Sequence, residues 1–67
     1  MLDIKKIKSL RNEKGMTQRD LAEKVFVSQA MIQGIEVGIK KPGADLLKLL
    51  ADALNVTTDD LYIKATK

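Results

Sequence analysis

The sequence has no cysteine, no histidine and no tryptophan, and its 67 residues include one proline, one tyrosine and one phenylalanine. Without cysteine there is neither a disulfide framework nor a thiolate metal site. Without histidine the commonest general base and metal ligand is missing, and no Ser-His-Asp arrangement can be assembled. An enzyme built from the remaining carboxylates and lysines would need a cleft that so short a chain has little room to form. Catalysis is therefore set aside, and neither a cofactor nor a metal is expected. Long apolar runs are also lacking, none exceeding three residues, so a membrane span is excluded. The segment Met1-Leu2-Asp3-Ile4-Lys5 lacks the apolar stretch and small-residue cleavage site of a secretory signal. The cytoplasm is the expected location.

Twelve Lys+Arg against nine Asp+Glu leave a formal charge of +3. A bias of that size suits a phosphate-bearing partner without requiring one. The chain reads as a single domain over 1–67, near the lower size limit for folding on its own core.

Apolar residues recur at helical spacing, and no segment alternates as a half-buried strand does. Ile4, Ile7 and Leu10 form one stripe, ended by Gly15 in a position suited to left-handed backbone. Thr17 opens a second helix, with Asp20 three residues on able to answer the cap. Leu21, Ala22 and Val25 face inward from it. Ser28 caps a third helix after a break of about three residues, carrying Ile32 and Ile35 and stopping at Gly38. Two short helices joined so tightly cross at a steep angle, the geometry of a helix-turn-helix. Lys40, Lys41 and Pro42 interrupt the helical pattern. A fourth helix runs from about Ala44 to Leu54, and Asn55 ends it. Thr57 or Thr58 then caps a short fifth helix through Asp59, Asp60, Leu61 and Tyr62, followed by a tail over 63–67. The expected fold is all-α, a compact five-helix domain.

The informative unit is Thr17-Gln18-Arg19-Asp20-Leu21-Ala22, then Val27-Ser28-Gln29, Ile32 and Ile35-Glu36-x-Gly38. Its apolar members fix the angle between two helices, and Ala22 is small enough to let them approach. Left outside is the polar start of the later helix, where free amides and the positive dipole end favour a phosphate. A glutamine there, Gln29, can present donor and acceptor together to the N6/N7 edge of adenine.

The stretches TQRDLA, VSQAMIQGIEVG, KKPG and DALNV, in this order from about Ile4 to Leu61, resemble the lambda-repressor/Cro-like helix-turn-helix family, also called the xenobiotic-response-element type. The resemblance implies a lambda-repressor-like domain that binds double-stranded DNA, with the motif over about 17–36 and the recognition helix at about 28–36. By position it assigns base reading to Gln29, Ala30, Gln33 and Gly34. It assigns backbone contacts to Thr17, Gln18, Ser28, Lys40 and Lys41, and a structural ion pair to Arg11 and Glu36. The sequence departs from the family pattern at Phe26, where glycine is frequent, and at Val37, where a polar or basic residue is usual. Ala30 is short enough to touch only a thymine methyl, and Gly34 stands where other members often carry a long side chain.

Each assignment has a plainer counterpart. Gln18, Gln29 and Gln33 could be ordinary surface polarity, and Lys40 and Lys41 ordinary loop charges. Lys5, Lys6 and Lys8 serve solubility. Helix four carries a second apolar edge at Leu46, Leu49 and Ala53, which either joins the core or meets a second subunit. One domain covers a half-site, so a homodimer is expected, with Leu49, Val56, Leu61, Tyr62 and Ile63 as interface candidates. The functional expectation is a transcriptional regulator, a repressor, on a pseudo-palindromic operator. The alternative is an antitoxin-like regulator of the same fold whose main partner is a protein.

Overall fold

A computed structural model of the chain describes residues 1–63. Four α-helices follow one another: α1 (Ile4–Glu13), α2 (Gln18–Lys24), α3 (Gln29–Glu36) and α4 (Ala44–Ala53). The expected fifth helix is a single 3₁₀ turn at Asp59–Leu61, so the count is four. Three residues between Thr58 and Tyr62 are too few to close an i→i+4 ladder. Of the tail expected at 63–67, only Ile63 lies within the described residues.

The starts of the helices are fixed by side chains. Asp3 accepts a hydrogen bond from the Lys6 amide at 3.1 Å, and Ser28 Oγ accepts from the Met31 amide at 3.2 Å. Thr17 and Asp20 form a reciprocal capping box, each side chain accepting the other's amide at 3.0 Å. A similar reciprocal pair, Thr57 with Asp60, precedes the final turn. Each cap satisfies amides that a helix start leaves without partners.

All four helices end in the same way. The amide two residues beyond the last capping residue reaches back to a carbonyl in the final turn: Met16 to Arg11, Val27 to Ala22, Ile39 to Gly34 and Val56 to Ala51. This Schellman closure needs one residue with left-handed backbone. Those residues are Gly15 (φ 69°), Phe26 (φ 63°), Gly38 (φ 86°) and Asn55 (φ 59°). Glycine meets that demand without strain and asparagine tolerates it; phenylalanine does not.

Each helix contributes to one core. Ile7 comes from α1, Leu21 and Ala22 from α2, Ile32 and Ile35 from α3, and Leu47, Leu50 and Ala51 from α4, with Leu61 sealing the end. Full burial of one such leucine or isoleucine contributes at most about 3 kcal/mol. Leu46 and Ala53, the second edge of α4, pack partly against this core. The chain ends are brought together by an antiparallel bridge between Leu2 and Tyr62. Around it Asp3 N donates to Leu61 O and Ile63 N donates to Met1 O, both at 2.7 Å. Among the described residues no helix is long and apolar enough to cross a membrane.

Phe26 combines a left-handed backbone with a side chain 83% exposed. Replacing it by glycine removes the steric cost and loses little packing. Phe26→Gly is expected to raise stability by about 0.5–1 kcal/mol and Tm by about 4 °C in thermal melts. A lower Tm would mean that the ring's contacts outweigh the strain.

Candidate nucleic-acid interface

The α2–turn–α3 unit is held from behind by a buried charge. Arg11, on α1, is buried, and its guanidinium grips the carboxylate of Glu36 at the end of α3. Arg11 Nε donates to Glu36 Oε2 at 2.7 Å and Nη2 donates to Oε1 at 3.1 Å. Nη1 donates to the Met16 carbonyl at 2.8 Å. Gln18, the first residue of α2, adds its side-chain amide, with Nε2 donating to Glu36 Oε1 at 3.1 Å. One carboxylate thus ties together three helices, and no buried side-chain polar atom among the described residues lacks a partner.

Burial alone raises the Glu36 pKa, but the hydrogen bonds from Arg11 and Gln18, with the charges of Arg11 and Lys8, outweigh it. The net shift is below the ordinary glutamate value. Asp20 is likewise lowered, by its hydrogen bonds to the Thr17 amide and hydroxyl.

In front of this brace lies the outer face of α3. Gln29, Ala30 and Gln33 are all exposed. At 100° per residue Gln29 and Gln33 share one face, with Val37 one turn further along it. Ser28 and Thr17 stand at the starts of α3 and α2 with hydroxyl oxygens already accepting cap hydrogen bonds. Ser28 keeps its O–H hydrogen to donate, whereas that of Thr17 is engaged by the Asp20 carboxylate. Lys40 and Lys41 are exposed just beyond α3.

Four residues assigned from the sequence have different surroundings. Gly34 is buried, not on the outer face. The aliphatic stem of Lys40 covers it so closely that a Cβ there would lie 2.8 Å from Lys40 Cγ and Cδ. Leu61 is 0% exposed, so it belongs to the core and is not available to a second subunit. Val56 is half-buried against the same core. Leu49, Tyr62 and Ile63 remain exposed. The fourth is Gln18, whose amide already serves Glu36 and has one N–H left for an external acceptor. The Gln18–Glu36 contact carries no sequence signal, since it joins residues through tertiary approach alone, and the Gly34–Lys40 contact arises from the way the chain folds back at the end of α3. Among the described residues no three His, Cys, Asp or Glu side chains cluster as a metal site.

A helix-turn-helix family model matches residues 7–61. The chain belongs to that family. An uncharacterized HTH-type transcriptional regulator of Mycobacterium tuberculosis (strain ATCC 25618 / H37Rv), Rv0474, is 39% identical over 59 residues, or 88% of this chain and 42% of the relative. The chain thus spans less than half the length of that relative. Among solved structures, the P22 c2 repressor in complex with a synthetic operator superposes with a TM-score of 0.86 at 28% identity, covering 91% of this chain and 92% of that one. SinR of Bacillus subtilis, solved in complex with DNA, gives 0.82 at 30% identity, covering 90% and 97%. SinR in complex with SinI gives 0.83 at 30% identity, covering 90% and 59%. The helix-turn-helix membership and these likenesses agree on an all-α, lambda-repressor-like fold.

A pH prediction follows from Glu36. A carboxylate whose folded pKa is lowered stabilises the fold above its ordinary pKa, and that contribution fades as pH falls toward the folded value. Glu36→Gln is therefore expected to melt below the wild type at pH 7, with the gap closing as pH falls below the ordinary glutamate value of 4.5 toward the lowered folded one. A gap independent of pH would mean that the ionised carboxylate is not what stabilises the fold. Glu36→Ala, which strands the buried guanidinium, is expected to cost about 3 kcal/mol and lower Tm by more than about 10 °C.

Proposed function

We propose that this chain is the DNA-binding domain of a transcriptional repressor that binds a pseudo-palindromic operator as a homodimer. The observation carrying the proposal is the outer face of α3, where Gln29, Ala30 and Gln33 are exposed in one patch with Lys40 and Lys41 following. The Arg11–Glu36–Gln18 network behind it keeps the angle between α2 and α3 from relaxing. DNA- and operator-bound neighbours of the same fold support the reading.

In this reading Gln29 and Gln33 address base edges in the major groove, and Ala30 meets a thymine methyl. The Ser28 hydroxyl, the start of α2 at Thr17, the free N–H of Gln18, and Lys40 and Lys41 contact phosphates and fix the register. The recognition helices of two subunits then enter successive major grooves about 34 Å apart. Leu49, Tyr62 and Ile63 are the exposed apolar residues left for the second subunit.

Gln29→Ala is expected to lose about 1–3 kcal/mol of discrimination for the operator while keeping helical content and non-specific DNA binding. Operators are identified by selection from random duplexes and compared by fluorescence anisotropy. Equal operator preference in mutant and wild type would take Gln29 out of the interface. Wild-type affinity should fall with salt, at a slope of about 0.9 per phosphate contact.

A second reading, with a protein as main partner, draws on the exposed Phe26, Val37 and Ile39 and on the SinR neighbour solved with SinI. Co-purification of a small protein at fixed stoichiometry favours it; a homodimer that binds its operator without that partner counts against it.

A further inference from the structure

We propose that Gly34 is a positioning residue for DNA: a notch in α3 that seats the Lys40 stem and holds its ammonium ready for a phosphate. The proposal rests on the DNA-binding reading above.

A glycine in the middle of an eight-residue helix weakens it relative to alanine. Gly34 has no left-handed backbone to justify it, since the positive-φ positions lie elsewhere. What requires it is space. An added Cβ would lie 2.8 Å from both Lys40 Cγ and Cδ and 3.3 Å from Lys40 Cβ. Any other residue would push the middle of the lysine stem off the helix.

The same residue also anchors the loop through its backbone. Gly34 O accepts from the Ile39 amide at 2.9 Å and from the Lys40 amide at 3.1 Å. These bonds do not involve a side chain, so alanine at 34 can keep them while displacing mainly the lysine stem, with the loop giving by a few tenths of an ångström at Lys40 Cβ. That separation makes the role testable. A free lysine loses more rotamer freedom on being fixed than most side chains. Packing of its stem in the notch restricts the inner rotamers of Lys40 before DNA arrives, and that preorganisation favours binding.

The test is a double-mutant cycle of Gly34→Ala and Lys40→Ala on the full chain, with Lys41→Ala as comparator. Two quantities are read for each variant: duplex DNA affinity across a salt series, and Tm without DNA. Lys40→Ala should lower the salt slope by about 0.9, or affinity about eightfold at 0.1 M salt. Gly34→Ala should lower affinity several-fold in the wild type and leave it unchanged in the Lys40→Ala background. With Lys41→Ala its effect should multiply, as for independent sites. In the melts, Gly34→Ala should raise Tm by up to about 4 °C only where Lys40 is already alanine, because there the 2.8 Å overlaps with Cγ and Cδ are gone and only the 3.3 Å approach to Cβ remains.

The same affinity loss from Gly34→Ala with and without Lys40 would overturn the proposal, as would equal Tm gains in both backgrounds. If the wild type shows no salt-dependent duplex binding, the DNA-binding reading fails, and the Tm cycle still reports on the contact itself.

Discussion

The carboxylate of Glu36 is the point on which the helix-turn-helix geometry depends. It receives hydrogen bonds from Arg11 on α1 and Gln18 on α2 while belonging to α3. An ion pair taken out of water recovers its desolvation cost only when geometry and hydrogen bonding are complete, and is often no more stabilising than an apolar replacement. Here the guanidinium is bidentate on the carboxylate and its remaining nitrogen is satisfied by Met16. Its particular contribution is directional. A leucine cluster holds helices together at many angles, whereas this network closes at one.

That matters because the domain has little stability to spare. Among the described residues eleven buried apolar side chains form its core, and a domain of this size buries a smaller share of its surface than a larger one does. The ends are correspondingly well managed, with side-chain caps at the starts of α1, α2 and α3 and Schellman closures throughout. Phe26 is the exception, a strained residue in the turn of the motif with its ring in solvent. The bridge between Leu2 and Tyr62 ties the N-terminal strand of backbone to the segment after the last turn and shields Leu61.

Much of this was legible in the sequence because it is local. The caps at Thr17 and Ser28, the left-handed ends at Gly15 and Gly38, and the helical spacing of the core residues are written within a few positions of each other. The lysine-proline break after Gly38 is local too. What was not legible depends on approach across the fold. Leu61 read as surface because its short segment has too few turns to establish a face. The resemblance places Gly34 among the base readers, and the Lys40 stem that covers it is set by the path of the loop after α3. Gln18 was assigned to phosphate, and its bond to Glu36 emerges only when the start of α2 meets the end of α3. The fifth helix shrank to a 3₁₀ turn for want of length.

The resulting surface separates into a braced, polar α3 face and apolar residues elsewhere, notably Phe26, Leu49 and Ile63. Titration of the ¹⁵N-labelled chain with duplex DNA, followed by amide chemical shifts, distinguishes their roles most directly. The account predicts that the largest changes fall on Gln29, Ala30 and Gln33, with a second group at Thr17, Gln18, Lys40 and Lys41. Changes centred on Phe26 or along Leu49 and Ala53, with α3 unperturbed, would contradict it.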